Sequence, residues 1–245
     1  MKPADIQIRD PFLLRDADQW YLFGSTDKDI WRGPGVGFDA YISPESDAKP
    51  PEEFAGPFPA FRPPPGFWSS QNFWAPEVYR YRDAYYMFAT FKPSAGRRGT
   101  ACLKAEALPG PFMPWSPGPL TPKDWECLDG TLFIEDSQPF MVFCHEWQQV
   151  GDGEICALPL SEDLREPAGD PVLLFQASDA PWVRPLPGRP PGSYVTDGPF
   201  LHTARNGALN MLWSSFTDSG YAVGVAVSAG NLAGPWRQLV WLLGV

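Results

Sequence analysis

The chain is 245 residues long, with a formal net charge of −10 at pH 7 and an isoelectric point near 4.6. Such acidity argues against a nucleic-acid surface, which needs clustered Lys and Arg, and no run of about 18 apolar residues offers a membrane-spanning helix. Thirty prolines and 23 glycines accompany 44% hydrophobic and 15% aromatic residues, so the composition points to one folded domain, residues 1–245, built of short strands and tight turns.

The amino-terminal stretch MKPADIQIRDPF carries no apolar segment of the secretory type, which sets the expectation of a cytoplasmic protein. From Arg9 the sequence reads RDPFLLRDADQWYLFGST: an acid, an apolar strand, a polar turn and a second strand. The same plan returns from Ala75 (APEVYRYRDAYYMFATF), from Leu128 (LDGTLFIEDSQPFMVFCHEW) and from Thr196 (TDGPFLHTARNGALNMLWSSF). A third strand follows each unit: GVGFDAYIS, GTACLKAEAL, EICALPLS and YAVGVAVS. No 3.6-residue period competes with this alternation. Repeats of this length with three or four strands each predict an all-β fold, a β-propeller.

In a propeller the innermost strand of every blade starts at the same mouth, so the acids that open the units, Asp10, Glu77, Asp129 and Asp197, are expected to converge there. Each alone is ordinary turn chemistry. Four carboxylates brought together cost repulsion that structure alone would not require. Glycoside hydrolysis does need such a set: one carboxyl protonates the leaving oxygen while a second activates water or attacks the sugar. Trp31, Trp74, Trp147 and Trp213, near strand ends on the predicted mouth side, are the candidate sugar platforms, with Glu77 and His145 completing the substrate-binding set. Cys102, Cys127, Cys144 and Cys156 form no CxxC pair and have no His at ligand spacing, so they read as buried thiols and no metal site is expected. Arg97-Arg98 reads as a solvated turn.

The segments IRDPFLL, FWAPEVYRYRDAYYMFATF, LDGTLFIED, TDGPFLHT and LAGPW resemble glycoside hydrolase family 43, the five-bladed propellers that include arabinofuranosidases, xylosidases, arabinanases and galactofuranosidases. The resemblance implies an inverting enzyme acting on oligosaccharides. It makes Asp10 the base, Asp129 the residue that tunes and orients the acid, and the Asp197 position the acid. The family acid is a glutamate in a Glu-Gly-Pro motif, whereas this chain has Asp197-Gly198-Pro199. One methylene fewer withdraws the carboxyl by ~1.5 Å, so Glu146, at the end of the second strand of the third unit, is the alternative acid.

At the observed pitch a fifth unit would start beyond Val245, so the resemblance implies a propeller shortened to about four blades at its C-terminus. The fifth-blade histidine tied to a central calcium ion or water is not found, and no cofactor is expected. An unclosed propeller would expose strand edges to self-association. Two other readings stand beside the hydrolase: a non-catalytic sugar-binding propeller, and a related five-bladed clan of fructan-cleaving enzymes that retain configuration through an Asp nucleophile.

Overall fold

The computed structural model describes residues 1–44 and 51–244. Sixteen strands form four four-stranded antiparallel sheets, each in simple sequential order, the blades of a β-propeller. The first blade is β1 (Arg9–Asp16), β2 (Gln19–Ser25), β3 (Phe38–Ile42) and β4 (Ala55–Phe61). The second is β5 (Gln71–Tyr81), β6 (Ala84–Lys92), β7 (Gly99–Ala105) and β8 (Met113–Pro114). The third is β9 (Cys127–Glu135), β10 (Gln138–His145), β11 (Glu154–Pro159) and β12 (Val172–Gln176). The fourth is β13 (Asp197–Thr203), β14 (Leu209–Thr217), β15 (Gly220–Ser228) and β16 (Arg237–Gly244). The segment from Arg237 is thus the fourth strand of a complete blade, and Val245 lies outside the described residues.

The chain divides into two compact units, Met1–Leu120 and Thr121–Val245, with two blades in each. The first unit buries an aromatic core in which Phe38, Phe61, Phe73 and Phe91 from β3, β4, β5 and β6 pack with ring centroids 4.9 to 6.1 Å apart. Phenylalanine recurs because a half-buried pleated strand accommodates large flat side chains, and each ring contact adds to its burial. The second unit is centred on Trp213, fully buried on β14 against Trp182 and Phe175. Gly224, facing Trp213 from β15, is required by packing: a Cβ there would stand 2.1 Å from the Trp182 ring. Among the described residues no helix is long and apolar enough to cross a membrane.

Candidate active site

The first strand of every blade carries the same irregularity near its start. Arg9 pairs with Ser25 and Phe12 with Phe23; Trp74 with Thr90 and Glu77 with Phe88; Leu128 with Cys144 and Thr131 with Val142; Asp197 with Ser214 and Phe200 with Leu212. In each case three steps on the inner strand face two on its partner, a one-residue β-bulge. The residue after the first pair is left-handed every time: Asp10 at φ 49°, Ala75 at 44°, Asp129 at 54° and Gly198 at 52°. Only glycine adopts this region without steric cost, and aspartate tolerates it better than most.

This register corrects the alignment of the four acids. Asp10 and Asp129 are true counterparts, but the second-blade counterpart is Ala75 and the fourth-blade counterpart is Gly198. Asp197 sits one position earlier, where the other blades have Arg9, Trp74 and Leu128. Glu77 lies two positions later than Ala75, at the place of Phe12, and its Oε2 accepts the Tyr79 hydroxyl. The turn chemistry of Pro-Glu and Asp-Pro looks alike in sequence; only the cross-strand register separates them.

In the first unit, Ser25 ends β2 and is 2% exposed. Its hydroxyl donates to Asp10 Oδ2 at 2.8 Å and accepts the Ala75 N–H, also at 2.8 Å. Beside this link, Trp31 and Trp74 meet edge to face with centroids 5.1 Å apart, and the Trp74 indole donates to the Ile30 carbonyl at 2.6 Å. The Arg9 guanidinium lies 5.4 Å from the Trp31 ring, and that of Arg98 lies 5.1 Å from the Trp74 ring. Trp31 is 61% exposed, as a sugar platform must be, whereas Arg98 is buried at 7%. Arg98 is therefore no solvated turn residue but part of the support under Trp74, a cation over an aromatic face.

In the second unit, Asp129 Oδ2 accepts the Gly198 N–H at 2.9 Å, and Asp197 Oδ2 accepts the Tyr221 hydroxyl at 2.7 Å. The phenol of Tyr221 is pushed well above its ordinary range by loss of solvent, then by the Asp197 charge and hydrogen bond and by Asp129, so it stays a donor. Burial likewise pushes the Cys144 thiol up, and the charges of Asp129, Asp197 and Glu146 all act on it in the same direction. Glu146 is 3% exposed at the junction of β10 and a single helical turn, α1 (Trp147–Val150), whose Gln149 and Val150 amides donate to the Glu146 carbonyl at 2.9 and 3.2 Å.

Two expected sugar contacts are corrected. Trp213 is completely buried and gives its indole N–H to Gln238 at 3.1 Å, so no ring face is left for a ligand. His145 is 6% exposed, stacked on Trp125 at 4.1 Å with planes 10° apart. Its Nδ1 lies 2.9 Å from Glu154 Oε2 and its Nε2 lies 3.2 Å from Gln149 Oε1. The Gln149 amide is oriented by the backbone: Nε2 donates to Asp124 at 3.0 Å while Oε1 accepts the Glu126 N–H at 2.6 Å. His145 must therefore donate from Nε2, and its contacts at both ring nitrogens and on its face make it an internal brace. Trp147 remains partly exposed at the start of α1, with the Arg189 guanidinium 5.4 Å from its ring. Among the described residues no three His, Cys, Asp or Glu side chains are grouped as metal ligands. Sequence reasoning missed Ser25 and Tyr221, because nothing in a lone Ser or Tyr signals a carboxylate partner 15 or 24 residues away.

Carboxylates on bulged first strands of propeller blades, with an exposed tryptophan near the first of them, are groups that glycoside hydrolysis uses. The chain matches Glycosyl hydrolases family 43 over residues 4–240 and belongs to that family. It is similar to the endo-arabinase of Bacteroides thetaiotaomicron, at 38% identity and a TM-score of 0.89, covering 100% of this chain and 84% of that one. A thermostable family-43 glycoside hydrolase is 25% identical with a TM-score of 0.77, covering 96% of this chain and 72% of that one. The α-L-arabinofuranosidase of Lactobacillus brevis shares the fold, with a TM-score of 0.74 at 17% identity over 99% of this chain and 77% of that one. No curated protein sequence matches the chain.

Proposed function

We propose that this glycosidase hydrolyses α-L-arabinofuranosyl linkages, releasing terminal residues from oligosaccharides by an inverting, two-carboxylate route. The observation that carries the reading is the shared placement of Asp10 and Asp129: the same bulge position, the same left-handed backbone, and a carboxylate tied to the bulge amide of the following blade. The left-handed bulge recurs in all four blades, and the two that place a carboxylate there, at Asp10 and Asp129, favour a role for these side chains beyond forming the turn. The printed activities of the endo-arabinase and the arabinofuranosidase support the choice of sugar.

In this mechanism Asp10 takes a proton from a water whose oxygen attacks the anomeric carbon, while the bond to the leaving oxygen breaks and that oxygen receives a proton from the acid. Asp197 is the acid. Its neighbour Gly198 donates its backbone N–H to Asp129, which ties the backbone that carries the acid to the third blade. Tyr221 fixes one oxygen of Asp197 and so sets where the other points. Glu146 is the second candidate because it directly follows β10, the strand paired with the one that carries Asp129; its burial at 3% weighs against it.

The experiment is a comparison of leaving groups. An acid variant keeps its rate on an aryl arabinofuranoside with a highly acidic phenol, which needs no proton, and loses it on arabino-oligosaccharides. Asp197→Asn is expected to behave this way, and Glu146→Gln is not. If neither variant distinguishes the two substrates, the acid lies elsewhere; if the wild-type chain hydrolyses no arabinofuranoside, the choice of sugar fails.

A further inference from the structure

We infer that Ser25 is the positioning residue of the base, a hydroxyl relay that holds Asp10 by one oxygen and is itself locked by the backbone of the next blade. The inference rests on the reading of Asp10 as the base. The direction of both bonds is fixed by chemistry. The Ala75 N–H can only donate, so Ser25 Oγ is its acceptor at 2.8 Å, and the single hydroxyl proton is left for Asp10 Oδ2 at 2.8 Å. Among the described residues this is the hydrogen bond that Asp10 makes, so its second oxygen is left to face water.

The blades provide an internal comparison. At the position of Ser25 the other three carry Thr90, Cys144 and Ser214. Where the residue is Cys144, a weak donor, the aspartate of that blade, Asp129, reaches the Gly198 amide directly at 2.9 Å. Where it is Ser25, the aspartate reaches the corresponding amide, Ala75, through one intervening hydroxyl. The two linkages join equivalent points, and the first unit contains one extra atom pair. Asp10 is exposed, so without the Ser25 bond its carboxylate would sample orientations in which neither oxygen is aligned with the attacking water. Ser25 is buried at 2% on the rigid end of β2, and an alignment error of about 1 Å costs on the order of a hundredfold in rate.

The test uses the full chain and an aryl α-L-arabinofuranoside, with Ser25→Ala, Ser25→Thr and Asp10→Asn measured in parallel. Ser25→Ala is expected to lower kcat by about ten- to a hundredfold, the loss of one hydrogen bond to a charged group, with KM within about twofold because no sugar contact is removed. Ser25→Thr, which restores the hydroxyl in the form already present as Thr90, is expected to return kcat to within about threefold of wild type. Equal loss in the Ala and Thr variants, or a loss carried by KM, would overturn the inference. So would wild-type kcat in Ser25→Ala beside an inactive Asp10→Asn, a result that leaves the base assignment standing. An active Asp10→Asn would instead remove the base assignment and this inference with it. Should Ser25→Ala fail to fold, Ser25→Cys decides: it matches the size of serine and the side chain of Cys144, and its weak donor is expected to give the same kcat loss.

Discussion

Asp129 accepts the backbone N–H of Gly198 at 2.9 Å, a carboxylate of the third blade bonded to the bulge of the fourth. Asp197 is the residue before that glycine, so the bond sets where its backbone enters β13. The contact has two separable parts, an acceptor for the amide and a negative charge near Asp197. Asp129→Asn keeps an acceptor oxygen and removes the charge. It is expected to melt within about 1 kcal/mol of wild type while losing activity by about a hundredfold or more. Asp129→Ala removes both, and is expected to cost about 1–3 kcal/mol of stability in addition. Urea titration alongside initial rates separates the two effects; equal stability loss in both variants would mean that the charge, not the acceptor, holds the blades' contact.

Tyr221 donates to Asp197 at 2.7 Å and its phenol is held protonated by its surroundings. Tyr221→Phe keeps the ring contact with Phe216, whose centroid is 5.2 Å away, and removes the donor alone. We expect kcat on arabino-oligosaccharides to fall by about tenfold, the worth of one hydrogen bond, with a smaller fall on aryl substrates that need no acid. An unchanged ratio between the two substrates would detach Tyr221 from the acid.

The four repeats and the first three strands of each were legible because period-2 alternation, turn residues and unit spacing all pointed to the same fold. What stayed hidden was register. RDPF, APEV, LDGT and TDGP look like four copies of one motif, yet the left-handed residue is Asp10, Ala75, Asp129 and Gly198, and a shift of one or two places changes which side chain faces where. Trp213 misled for a related reason: an aromatic residue on a strand reads the same whether its face of the sheet is solvated or packed. Arg98 misled because a paired arginine in a turn is usually solvated, and only the tertiary approach of Trp74 buries it.

Trp31 and Trp213 give opposite expectations from the same substitution. Trp213→Ala empties a fully buried site and is expected to cost about 3–5 kcal/mol. Trp31, 61% exposed, should cost less than about 1 kcal/mol when replaced by Ala, and instead raise KM for oligosaccharides severalfold by removing a stacking face. Thermal melts and KM values check both; a KM unaffected by Trp31→Ala would remove that ring from the substrate path.

The buried thiols make the fold sensitive to alkali. Burial first, and then the charge of Glu154, push the Cys156 thiol up from 9.0 to about 12. A raised folded value means that the stabilisation is fully present below pH 9 and is lost as pH rises toward 12, at about 1.4 kcal/mol per pH unit for each such thiol. Burial pushes Cys127 and Cys144 in the same direction. Denaturant midpoints are therefore expected to fall between pH 9 and pH 11, and less steeply in Cys156→Ala. A midpoint flat across that window would contradict the burial of these groups.

The account depends on a water activated by Asp10 attacking the face opposite the leaving group. Proton NMR of the sugar first released from an α-L-arabinofuranoside, recorded before mutarotation, reads that geometry directly. Inversion predicts the β-anomer as the first product, absent in Asp10→Asn. The α-anomer appearing first would mean a covalent intermediate and would contradict the assignment of Asp10 as a base.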